Sequence, residues 1–253
     1  LSESSQQKMT GLVNSALKII ARQSDSQLET IQRLFNFLEQ IARRSAYLSL
    51  LSEFPHALER VIRMMHASDW AAQFLSSHPI LLDELLDASV LHQVPDWDHF
   101  SDELGHKLAQ QNGDIEAQLD TLREMHHALL FRLLAQDLEG RLSMEHLADA
   151  LSQLADIIVA AVIQAVWQSL PNRHIASPRF AVIAYGKLGG KELSYASDLD
   201  VIFLYDDEEQ EAPALYAKLA QRFITWMTSH TSAGVLFDID IALRPDGASG
   251  LMV

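Results

Sequence analysis

Apolar residues recur at three- and four-residue intervals along most of this chain, and then the pattern stops at Pro171. That single break constrains the fold more than any other feature. Leu12, Ala16, Ile19 and Ile20 fall on one helical stripe, as do Leu28, Ile31, Leu34, Phe35, Leu38 and Ile41. Pro55, Pro79 and Pro95 suit helix starts or connecting turns better than helix interiors. Short helices are therefore expected over 55–65, 68–76 and 79–86. Asp114, after Gly113, is placed to cap a long helix reaching about Glu139, and Ser143 another reaching about Ser169. Ile157 to Ile163 is apolar nearly all round, which predicts a helix buried on several sides. At seven residues it is far short of the roughly 20 needed to span a bilayer. No fixed repeat period and no low-complexity tract is visible.

Beyond Pro171 the period shortens. Phe180 to Tyr185 and Leu199 to Tyr205 read as buried strands, and Val235 to Leu243 as an alternating one. A helix over about 214–230 lies between the last two, with Leu215, Leu219, Phe223 and Met227 on one face. The expected class is α+β: a helical domain, 1–175, then a mixed sheet with helices, 176–253. Apolar residues are 48% of the chain and charged residues 21%, a globular balance that excludes a fibrous or wholly disordered chain.

The charge sum is −15, and residues 178–253 alone hold six basic and eleven acidic side chains. Neither region is a nucleic-acid binder by composition, and no membrane partner is expected. With no cysteine, disulfides and thiolate metal sites are excluded. The polar start, Leu1 to Met9, lacks the apolar core of a signal peptide, so a cytoplasmic location is expected.

The chemistry is concentrated in Tyr185-Gly-Lys-Leu-Gly-Gly-Lys-Glu-Leu-Ser-Tyr-Ala-Ser-Asp-Leu-Asp200. A strand ends in a glycine-containing loop, and Asp198 and Asp200 open the next strand on one side of it. Such a pair can converge on hard cations, and glycines allow a close backbone approach to phosphate. Asp-x-Asp is weak alone, because the chain has three: Asp96/Asp98, Asp198/Asp200 and Asp238/Asp240. The first, beside Pro95 and Trp97, reads as a helix start. The third alternates with Phe237, Ile239, Ile241 and Leu243, as any half-buried strand would. Together, however, the second and third offer three or four carboxylates and Arg244 on neighbouring strands, an arrangement that repels itself without cations. His126 and His127 sit in mid-helix and read as bland helix residues. Gly186 to Gly190 is not a P-loop, since no Gly-Lys-Ser/Thr follows.

The motif set Gly186-Lys-Leu-Gly-Gly190, Glu192-Leu193, Ser197-Asp-Leu-Asp200, Asp240, Leu243-Arg-Pro245 and Gly247 resembles the nucleotidyltransferase domain of bacterial glutamine synthetase adenylyltransferases. The helical segments Leu50 to Arg60 and His78 to Leu85 are similar to that family too. The resemblance implies a multifunctional enzyme of nitrogen metabolism with two related halves, one attaching AMP to glutamine synthetase and one removing it. Leu193 to Asp200 and Thr231 to Val235 look more like the attaching half.

It further implies transfer of AMP from ATP to a tyrosine hydroxyl of glutamine synthetase with release of pyrophosphate. Asp198, Asp200 and Asp240 then hold Mg2+, with Asp240 also helping to deprotonate the hydroxyl. Gly189 and Gly190 meet phosphate through backbone N–H groups, and Ser197, Lys187 and Arg244 are further nucleotide contacts. Ser197 equally suits a turn cap. A PII-type signalling protein is the implied regulator. The family pattern has an arginine where this chain has Ala242, and its domain continues past the position of Val253, which implies a C-terminally truncated core. The alternatives are the AMP-removing half, acting by phosphorolysis, or a regulatory docking module without catalysis.

Overall fold

The computed structural model describes residues 3–86 and 93–241. Ten α-helices, one 3-10 helix and three strands are formed among them. They are α1 (Glu3–Ile20), α2 (Gln27–Ile41), α3 (Ser45–Glu53), α4 (Pro55–Ala67), α5 (Asp69–Ser77), a 3-10 helix (Pro79–Leu85), α6 (Trp97–Gln110), α7 (Ile115–Leu138) and α8 (Met144–Ser169). Then follow β1 (Phe180–Ala184), α9 (Gly186–Gly189), β2 (Leu199–Tyr205), α10 (Ala212–Thr228) and β3 (Ile239–Asp240). The class is α+β: mostly helical, with one small mixed sheet.

Side-chain capping explains the starts of α5, α6, α7 and α8. Ser68 accepts from Ala71 N at 3.1 Å and opens α5. Asp96 accepts from His99 N at 3.0 Å, so the first Asp-x-Asp pair is a helix start. Asp114 accepts from Ala117 N at 3.0 Å, and Ser143 from His146 N at 3.3 Å. Each cap satisfies one of the N–H groups that a helix start leaves without an internal acceptor. Pro79 opens a 3-10 helix rather than an α-helix.

By packing, the chain divides into two units, a division that differs in kind from the change of periodicity near residue 171. One unit holds residues 1–94 and 131–142, the other 95–130 and 143–253. In the first, Leu12, Ile20, Leu34, Phe37, Ile41, Leu48, Val61, Met65 and Leu75 are buried. Each such side chain contributes on the order of 1.5–3 kcal/mol by leaving water. Arg60 adds a polar tie: its Nε donates to Glu139 at 2.9 Å and its Nη1 to the Leu85 carbonyl at 2.8 Å.

The second unit carries the sheet, in the order β1-β2-β3. β1 and β2 are antiparallel, with Phe180 opposite Tyr205 and Ala184 opposite Val201. β2 and β3 are parallel, with Leu199 opposite Ile239 and Asp200 opposite Asp240. Leu199, Val201 and Phe203 are buried on one face, where the Phe203 ring meets Phe223 of α10 edge-on at 5.5 Å. Tyr216 of α10 stacks on Trp167 of α8 at 5.4 Å.

By length and composition α8 could cross a membrane, yet 56% of its most apolar window is buried inside the protein, as in a core helix. Val162, Val166 and Trp167 lie on that buried surface.

β3 is shorter than the alternation over 235–243 suggests. Exposure does alternate from Phe237 to Ile241. But the N–H groups of Leu236 and Phe237 both donate to Met227 O, at 3.3 and 3.2 Å, so the end of α10 takes the bonds a neighbouring strand would use. Ala242, Leu243, Arg244, Pro245 and Gly247 lie outside the described residues.

Candidate functional site

The strand-to-helix turn after β1 is built around Gly186. Its φ is +50°, in the left-handed region that favours glycine. A Cβ there would stand 2.1 Å from Asp200 Oδ2. Gly186 thus makes room for the Asp200 carboxylate, while Tyr185 N donates to Asp200 O at 2.9 Å and locks the two backbones together.

The turn then closes on itself. Lys191 N donates to Leu188 O at 3.1 Å, Glu192 N donates to Lys187 O at 2.7 Å, and Lys191 has φ +55°. This paired pattern ends a helical turn with a left-handed residue, the Schellman arrangement. Leu188 and Leu193 are buried and pin the turn to the protein. A Cβ on Gly189 would meet Ala184 O at 2.6 Å, so this glycine lets the turn press against β1.

The glycine N–H groups expected to meet phosphate are engaged inside the turn: Gly189 N donates to Tyr185 O and Gly190 N to Gly186 O, each at 2.9 Å. What both residues present outward is exposed backbone without a side chain. Ser197 is 7% exposed, and its Oγ accepts from Ser194 N at 3.0 Å and lies 2.9 Å from Ser194 Oγ. Its hydroxyl organises the turn that delivers Asp198.

The parallel register of β2 and β3 brings the carboxylates together. Asp198, Asp200 and Asp240 each place an oxygen within 4.8 Å of the other two. Asp198 and Asp240 are exposed and Asp200 is partly buried. Two unit charges at 4.8 Å repel by about 0.9 kcal/mol even in water, so the cluster carries a standing cost unless cations offset it. Lys187 Nζ lies 3.4 Å from Asp198 Oδ1 and supplies one positive charge. Three carboxylate oxygens form a hard donor set, which fits Mg2+ or Mn2+ and not a soft metal. Arg244 is outside the described residues.

Sequence reasoning missed the buried polar face of α7. Arg123 is fully buried, and its guanidinium donates to the carbonyls of Gly234 (2.8 Å), Trp226 (3.0 Å) and Leu119 (2.9 Å). It also reaches the Ser229 carbonyl and, at 3.1 Å, the Ser229 hydroxyl. The one available signal was a long helix whose apolar residues are interrupted on every side by Gln118, Thr121, Arg123, His126 and His127, all buried.

Comparison with known proteins adds the family. Residues 58–253 match the family described as glutamate-ammonia ligase adenylyltransferase. A relative from Ralstonia nicotianae, named bifunctional glutamine synthetase adenylyltransferase/adenylyl-removing enzyme, is 53% identical over all of this chain and 26% of its own length. Relatives of the same name from Chromobacterium violaceum and Nitrosomonas eutropha are 51% and 49% identical, over 97% and 100% of this chain and 27% and 28% of their own lengths. The chain thus spans about a quarter of the length of the curated relatives it matches. On the match across residues 58–253 and identity near one half over its whole length, the chain belongs to the glutamate-ammonia ligase adenylyltransferase family.

Proposed function

We propose that this chain carries the nucleotidyl-transfer centre of an enzyme that moves AMP from ATP to a tyrosine hydroxyl of glutamine synthetase. The observation that carries the proposal is the convergence of Asp198, Asp200 and Asp240 within 4.8 Å, in a member of this family. The sheet and its flanking helices are then the nucleotidyltransferase core. The attaching half is preferred on the wording of Leu193 to Asp200 and Thr231 to Val235. The relatives' double name makes the AMP-removing half the second reading.

In the reaction, the tyrosine oxygen forms a bond to the α-phosphorus of ATP. The bond from that phosphorus to the bridging oxygen breaks, and pyrophosphate leaves in line. Asp198, Asp200 and Asp240 would hold Mg2+, which when bound lowers the pKa of the attacking hydroxyl and stabilises the leaving oxygen. Asp240, on the strand edge and exposed, takes the hydroxyl proton and passes it to solvent. Lys187, 3.4 Å from Asp198, and Arg244 pair with phosphate oxygens. Gly189 and Gly190 give the nucleotide an approach free of side chains, and Ser197 holds Asp198 in place. The setting is cytoplasmic nitrogen regulation, with a PII-type protein as regulator.

The test is to incubate the complete nucleotidyltransferase domain that contains this chain, separated from any related second half, with unmodified glutamine synthetase, Mg2+ and ATP labelled at the α-phosphate. Label on a synthetase tyrosine is expected. Unlabelled synthetase, together with phosphate-dependent release of ADP from the adenylylated form, assigns the chain to the removing half instead. Binding to the synthetase with neither reaction leaves a docking module.

A further inference from the structure

β3 is two residues long and pairs with β2 at two positions, Leu199 with Ile239 and Asp200 with Asp240. The residues leading to it, 229–237, form no strand among the described residues. They are held from α10, through the bonds that Leu236 and Phe237 donate to Met227 O, and from α7. Besides the Arg123 bonds, Thr231 Oγ1 donates to Asp120 at 2.6 Å, and His127 Nε2 lies 2.9 Å from Val235 O. A carbonyl can only accept, so that nitrogen carries the proton. The Phe237 ring meets His126 edge-on at 4.7 Å. Asp120, Arg123 and His127 stand at i, i+3 and i+7, on one face of the helix.

A buried guanidinium is a costly way to close a loop. Taking it out of water costs several kcal/mol, and apolar packing closes loops more cheaply. Burial pushes the Arg123 pKa down from its ordinary value, against the opposing charge of Asp120. What the guanidinium offers in return is a rigid fork that fixes several acceptors at once. Outside its own helix, those acceptors are Trp226, Ser229 and Gly234, at the end of α10 and along the path to Asp240.

We propose that Arg123 is a positioning residue: it fixes the loop 229–235 and through it sets the Asp240 carboxylate beside Asp198 and Asp200. The inference rests on the metal-centre reading above. Asp120, through Thr231, and His127, through Val235, serve the same loop. Arg123 touches no substrate in this scheme, and its effect passes through backbone.

The readout is Mn2+ affinity of the 253-residue chain, followed by electron paramagnetic resonance at a temperature where circular dichroism shows each variant folded. Arg123→Lys keeps the charge and loses the fork. It is expected to bind Mn2+ about tenfold more weakly, the range for groups that orient metal ligands. Thr231→Val removes two hydrogen bonds, the one donated to Asp120 and the one accepted from Ala233 N, and is expected to weaken binding about threefold. A merely structural arginine lowers the melting temperature and leaves the Mn2+ affinity of the folded protein alone, so unchanged affinity in folded Arg123→Lys overturns the proposal. Should that variant not fold, Thr231→Val decides, and unchanged affinity there overturns it equally. The wild-type chain is compared with a variant carrying Asp198→Asn, Asp200→Asn and Asp240→Asn together. Equal Mn2+ binding by those two proteins removes the metal centre itself and this proposal with it. Binding by the wild type that the loop variants retain in full removes only the role of Arg123.

Discussion

Replacing Asp198 and Asp200 together with asparagine is expected to abolish the proposed AMP transfer, by about a thousandfold or more, while the fold survives. Asparagine keeps the shape of each side chain and removes two of the three negative charges that meet within 4.8 Å. Asp240 alone cannot replace them, because a hard cation needs several anionic oxygens. The stability effect runs the other way. Each like-charge contact at 4.8 Å costs about 0.9 kcal/mol in water, so the double variant melts at the same temperature as the parent or slightly above it. A loss of activity without a loss of stability marks a site that spends stability on function. Transfer that persists in the double variant, measured with labelled ATP, removes these carboxylates from the chemistry.

Gly186→Ala produces the second large effect, by a different route. The left-handed backbone at this position costs an L-residue on the order of 1–3 kcal/mol. The added methyl would also sit 2.1 Å from Asp200 Oδ2, which forces either the carboxylate to rotate away or the turn to open. Displacing a reacting group by about 1 Å costs on the order of a hundredfold in rate. The expected result is therefore a lower melting temperature and transfer reduced by about a hundredfold. Gly105→Ala, inside α6, is the matched control: an added Cβ there meets nothing within 4 Å, so the change is mild. Equal melting temperature and equal transfer in Gly186→Ala and the parent would contradict the packing of Asp200 against this glycine.

Local features were legible in the sequence and non-local ones were not. Asp96, Asp114 and Ser143 cap helices through bonds that reach only three residues along the chain, so residue type and position suffice to find them. The bounds of β2 follow from a run of seven residues that is mostly apolar. β3 was harder, because its alternation extends over residues whose N–H groups are taken by Met227 O, a partner on another element. The same divide runs through the site. The motif pattern pointed to Asp198, Asp200 and Asp240, but only the parallel register of β2 and β3 puts their oxygens together. The glycines of this turn read as a way for backbone to approach phosphate, whereas in the structure the space that Gly186 leaves is filled by Asp200. Ser197 read equally as cap or ligand, and its hydroxyl bonds within its own turn. Arg123 was hard to find, since a lone arginine in a helix ordinarily faces solvent and its acceptors outside α7 lie more than 100 residues away.

The most direct measurement is an anomalous difference map from crystals of this chain grown with Mn2+. The expected map has its peak bounded by the carboxylates of Asp198, Asp200 and Asp240. A map with no peak there, or with those three side chains turned away from one another and the metal bound elsewhere, would contradict a shared cation site at the ends of β2 and β3.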